Sequence, residues 1–217
     1  MGRARSRRLG RGAAPARPLR PLDRYLEYLR SYCARETDPI VLVEIAQALA
    51  SFHAVLPDDE RVTTAGLELL GLHRDRALTE PSDDEPYDAV LLRDPVLTTL
   101  VLLGDEAVTS VLLDRAKTIR SGQTIHADSV PLALHAGVAV DPSFIGWIQS
   151  RLEDPNLPEA RSLQFIRALA GVRDRAGIDE VLRLVTEGVP HRNRLHFLRP
   201  AGGNPDLYPH LVHRPSR

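Results

Sequence analysis

Two short stretches place histidines near one another, as a metal site would: His191 and His196 in HRNRLH, and His210 and His213 in HLVH. The second pair, three residues apart, would share one face of a helix. A zinc or iron site needs at least a third nitrogen, sulfur or carboxylate donor, and neither pair has one nearby. Both lie in a proline-bearing stretch, and no HExxH pattern occurs, so no metal is expected. Cys33 is the lone cysteine. It falls on an apolar helical stripe, where a thiol acts as a small core residue rather than a nucleophile. Thr124, His126 and Asp128 cluster in one segment, but no GxSxG accompanies them, and Asp128 reads better as a helix cap. His135 reads as a group near a helix end, where its charge suits the dipole. These residues supply no catalytic set, and no cofactor is expected.

Phosphate chemistry fares no better. Ala201-Gly202-Gly203-Asn204 is a turn without the lysine and hydroxyl of a P-loop. The residues left for recognition are the acidic run Asp83, Asp84 and Glu85, which suits a basic partner, and Trp147, the one tryptophan. Trp147 flanks the stripe Phe144, Ile145, Ile148 and Leu152, so a core position is open to it as well.

Charge is unevenly spread. The chain has net charge −1, yet residues 1–20 carry seven arginines and no acid, residues 21–190 sum to −12, and residues 191–217 sum to +4. There are 27 arginines and one lysine, Lys117. With abundant Ala, Gly and Pro, that bias reflects GC-rich coding more than selection for phosphate contacts. The acidic body points to a basic protein partner, with nucleic acid limited to non-specific contact through the basic ends. No apolar run approaches the ~20 residues of a membrane span. No secretory signal opens the chain, and a single cysteine suits a cytoplasmic protein. Residues 1–21 read as a disordered basic tail or a mis-assigned start. Pro15, Pro18 and Pro21 would break the amphipathic helix of a mitochondrial presequence.

The elements that would position these groups are helices throughout. Leu22, Tyr25, Leu26, Leu29, Tyr32 and Cys33 recur at three- and four-residue steps. Asp38-Pro39 caps and opens the next helix, which carries Ile40, Val43, Ile45, Ala48, Leu49 and Phe52. A third follows Asp58, Asp59 and Glu60. Residues 74–88 form an acidic loop or linker. Asp94-Pro95 is expected to end one helix and start another, and Asp141-Pro142 likewise. Little order is expected past Leu198, so 191–217 reads as a second tail. No stretch shows sustained two-residue alternation, so the class is all-α.

Three segments repeat: TLVLLGDEAVTSVLL, LALHAGVAVDPSFIGWI and IRALAGVRDRAGIDEVL. Gly104, Gly137 and Gly171 fall 33 and 34 residues apart. Seven residues after each come Val111, Phe144 and Ile178. Each glycine is expected to mark the turn of an antiparallel helix pair, since one pair cannot cover its own apolar face and must stack on the next. Arg161, Ala168, Leu169, Gly171, Ile178, Val181 and Leu182 give residues 158–186 a resemblance to the HEAT-like repeat named after phycobilisome lyases. The resemblance is weaker over 94–153 and weakest over 22–72, and the Asp/Arg ladder is missing. A TPR array lacks its aromatic pair here, and a non-repeating helical bundle stays open.

The resemblance implies an α-solenoid of three to four HEAT-like pairs over 22–190, acting as a non-catalytic scaffold for another protein. HEAT-like di-iron hydroxylases use His-Glu pairs, and none of the eight histidines precedes a glutamate. HEAT-like DNA-repair glycosylases are the alternative. They need a cationic concave face with aromatics near an acid, whereas this body is acidic and 5% aromatic.

Overall fold

The computed structural model describes residues 21–33, 35–82 and 84–212. Among them there are twelve α-helices, three short 3-10 turns and no strand. The helices are α1 (Pro21–Cys33), α2 (Pro39–Val55), α3 (Glu60–Gly71), α4 (Arg74–Leu78), α5 (Tyr87–Leu102) and α6 (Glu106–Arg120). They continue with α7 (Val130–Val140), α8 (Ser143–Leu152), α9 (Glu159–Ala168), α10 (Arg175–Glu187), α11 (Leu195–Ala201) and α12 (Tyr208–Val212). Asp38, Asp59, Asp105 and Asp174 cap α2, α3, α6 and α10, each carboxylate accepting from a first-turn N–H. The basic tail read into residues 1–21 lies, Pro21 apart, outside the described residues. No single described helix is long and apolar enough to cross a membrane.

Two apolar clusters make the core. One gathers α1 to α6 around Leu26, Leu49, Leu92, Leu97 and Leu100; the other gathers α8 to α11 around Phe144, Ile148, Ile166 and Phe197. Helix α7 belongs to both. Leu132 and Ala136 enter the first cluster, Val130, Ala133, Leu134 and Val138 the second. A helix buried on every side reads as apolar throughout, which VPLALHAGVAV does. Packing runs α2 on α5, α6 on α7, α7 on α9 and α9 on α11, with α1 against α3 and α8 against α10 on the other flank.

Three expectations change. Helix α5 does not break at Asp94-Pro95 but runs through it. Proline in a helix costs ~3 kcal/mol, and burying Leu92, Val96, Leu97 and Leu100 completely offsets that at ~1.5–3 kcal/mol each. The segment after residue 190 is no tail as far as 212. Phe197, Ala201 and Leu207 are fully buried. Asn204 donates to the carbonyls of Ala170 and Val172 at 2.8 and 2.7 Å while accepting from Asp206 and Leu207.

The three glycines are also not equivalent. Gly104 closes α5 in a left-handed conformation, φ +83°, with Asp105 N–H bonded back to the Leu100 carbonyl at 2.9 Å. Gly137 lies inside α7. Gly171 ends the 3-10 turn after α9, and a Cβ there would fall 2.3 Å from the His135 carbonyl oxygen of α7. Backbone meets backbone at that point, so neither side can yield. Gly171→Ala is expected to destabilise the fold by about 3 kcal/mol, against about 1 kcal/mol for Gly104→Ala, which faces open space. Urea unfolding of the two variants checks the order.

Candidate functional site

Helices α2, α5, α7, α9 and α11 turn one side toward a shared cleft of about 760 Å³. Gln47 and Ala50 enter from α2, and Asp94, Pro95, Thr98 and Leu102 from α5. Pro131, Leu132 and His135 of α7 form the floor. The far wall holds Arg167 of α9, Arg192 of the turn before α11, and Leu195, His196 and Arg199 of α11. The lining mixes small, polar and charged groups with three leucines, Leu102, Leu132 and Leu195.

The far wall is cationic. Arg167 approaches His196 Nδ1 at 3.3 Å and feels the Asp94 carboxylate electrostatically, with no ion pair formed. Arg192 meets Glu159 at 3.2 Å, but both side chains are mostly exposed, so water competes with the pair. Arg199 makes no hydrogen bond or ion pair among the described residues. Opposite them stands Asp94. The protein walls around it raise its carboxyl above the usual range; Asp128 adds to this, while Arg93 and Arg167 oppose it. Pro95 of the same helix has no N–H, so the Leu91 carbonyl goes without its usual partner there.

His135 sits mid-helix rather than at a helix end. Burial, helped by Arg173, drops its imidazole to about 4, so it is a neutral hydrogen-bonding group at physiological pH. His53 on α2 is likewise lowered by burial.

The residues singled out for recognition are elsewhere. Asp83 lies outside the described residues. Asp84 is exposed. Glu85 instead turns inward and pairs with Arg93 of α5, the two side chains only 8% and 3% exposed. Arg115 of α6 holds the same loop through Glu80 at 2.6 Å and the Leu78 carbonyl at 3.0 Å. Trp147 is half-buried and edge-on to Phe144 and Phe165, with ring centroids 6.1 and 5.5 Å away. These residues share no site. Cys33 is buried in the core, and burial pushes its thiol up. Among the paired histidines, His213 lies outside the described residues, and His196 faces the cleft.

Sequence reasoning missed the cleft because its residues come from five helices between 47 and 204. One signal was present. An Asp-Pro inside an unbroken apolar run, LLRDPVLTTL, marks a polar opening in a buried helix rather than a helix start.

Fold and cleft together describe an all-helical module with one open, amphipathic recess. A family model, ERAP1-like C-terminal domain, matches residues 19–212, and the chain belongs to that family. The family is a helical domain of aminopeptidases. No curated protein matches the chain.

Two outcomes follow. A His whose folded pKa is depressed favours the fold above its unfolded pKa, near 6.5, because the unfolded chain binds the proton first as pH falls. His135 should therefore cost up to about 3 kcal/mol of stability between pH 6.5 and 4; His135→Gln should flatten that part of a urea-unfolding pH series. Glu85→Ala should cost about 3 kcal/mol by leaving Arg93 buried and unpaired, whereas a solvent-facing Glu85 would leave the thermal midpoint unmoved.

Proposed function

We propose that this chain is a non-catalytic helical module, built as a HEAT-like stack, that binds a segment of another polypeptide in its cleft. The single observation that carries this is the convergence of five helices on one recess with a mixed apolar and polar lining. In a stack of helix pairs, one helix of each pair faces the concave side, and such surfaces grip extended chains. The succession of contacts α2–α5, α5–α7, α7–α9 and α9–α11 supports that reading. The lining is aliphatic side chains, amides and guanidiniums, groups that hold and orient a chain. Membership in a family of aminopeptidase domains makes a polypeptide a natural occupant.

The nucleic-acid alternative gains cations from the cleft wall but lacks a stacking platform, since no Trp, Tyr or Phe lines the recess. A basic partner, suggested by the acidic body, fits the outer surface better than this cleft.

A random peptide library displayed on phage, selected on the full chain, tests the reading. Binders should lose their signal on Ala50→Trp, which fills the recess from α2, while circular dichroism stays unchanged. Peptides that bind the folded Ala50→Trp chain equally well would place recognition elsewhere.

A further inference from the structure

We infer that the cleft selects a polypeptide segment bearing two or more acidic side chains spaced among apolar residues. This rests on the cleft's being a polypeptide site at all, and adds the sign and spacing of charge.

The argument begins with sign. Between residues 21 and 212, the cleft arginines included, the chain is acidic, −10. Yet one wall of the recess presents Arg167, Arg192 and Arg199 together, with only Asp94 across from them. A cationic recess in an acidic surface focuses the field and draws anions into the recess, not onto the surface around it. The three guanidiniums are also available. The Arg199 side chain is unpaired, Arg167 contacts a histidine ring nitrogen and feels Asp94 without forming an ion pair, and the Arg192–Glu159 pair is open to water. Glu159 is therefore a placeholder for an incoming carboxylate.

Spacing comes next. Arg192 lies in the 3-10 turn before α11, Arg199 seven residues on near the end of α11, and Arg167 on the neighbouring helix α9. One carboxylate cannot bridge that span. An extended chain presents same-face side chains every ~7 Å, so acids at alternate positions reach arginines that stand on separate elements. Arg suits each, through its paired N–H donors. Pro95, Leu102, Leu132 and Leu195 add apolar surface between the polar groups. Leu195 is 70% exposed, so a bound segment gains by covering it. Asp94 works against the acids and sets a limit on affinity.

The test uses the full chain and fluorescein-labelled, C-terminally amidated peptides, read by fluorescence polarisation at low salt. A peptide alternating Leu and Glu should bind at least ~10-fold tighter than alternating Leu/Gln or Leu/Lys peptides. Arg199→Ala should weaken it ~3–5-fold, and the Arg192→Ala/Arg199→Ala pair further, with Arg199→Lys in between. Asp94→Asn should tighten it ~2–3-fold by removing the opposing charge. An unchanged melting temperature excludes unfolding in each case.

Equal binding of the Leu/Gln peptide overturns the inference. So does recovery of binding only when the terminal carboxylate is freed, since one end group then suffices. Single-stranded DNA competing with the same arginine dependence also overturns it. Phage binders that need an open cleft but carry no acids would refute this inference while leaving the polypeptide reading intact.

Discussion

The structure depends on the burial of helix α7 between two apolar clusters. Eleven residues, Val130 to Val140, hold two apolar clusters apart and together at once. The helix can do so because its residues are apolar or small all round, and because Gly171 lets the turn after α9 lie against the His135 carbonyl with no Cβ between them. Interiors are close-packed and transmit small displacements. The packing of α7 against that turn and against α9 itself therefore fixes where α9 sits, and through α9 where α11 and its arginines sit. Asn204 secures the far side, joining the carbonyls of Ala170 and Val172 to the chain beyond α11.

The cleft follows from the same arrangement. Each helix that reaches it buries one face in a cluster and has a narrower strip left over. On α5 that strip holds Asp94, Pro95 and Thr98; on α7 it holds Pro131 and His135. Partial desolvation at the cleft mouth pushes the carboxyl of the surface residue Asp94 above its usual range, against the pull of Arg93 and Arg167. His135 answers to the same walls in the opposite direction, since desolvation disfavours whichever form is charged. The recess is thus an electrostatic feature set by packing, with cations on the α9 and α11 side and an acid on α5.

The acidic loop shows how charge alone misleads. Asp83, Asp84 and Glu85 read as one run, yet Glu85 is turned in to Arg93 and the loop is held by Arg115 as well. Buried arginine needs a carboxylate near it, and the nearest one in sequence became structural. Trp147 went the same way, into an edge-on set with Phe144 and Phe165. The periodic glycines misled through spacing. Gly104 and Gly171 do end helices, but Gly137 sits inside one, because close packing of α7 and a tight turn both call for the residue without a side chain.

By itself the sequence determined that the chain is helical, where most helices begin, and which residues are apolar enough to be core. Those are local properties: periodicity, carboxylate caps and the absence of strand patterning act over a few residues. Tertiary structure alone decided that α5 runs through its proline, that residues 191–212 are folded in, and that Arg167, Arg192, Arg199 and Asp94 share one recess. These outcomes depend on burial summed over helices distant in the chain. No stretch of residues carries that sum, because each helix contributes only part of the surface that the others cover.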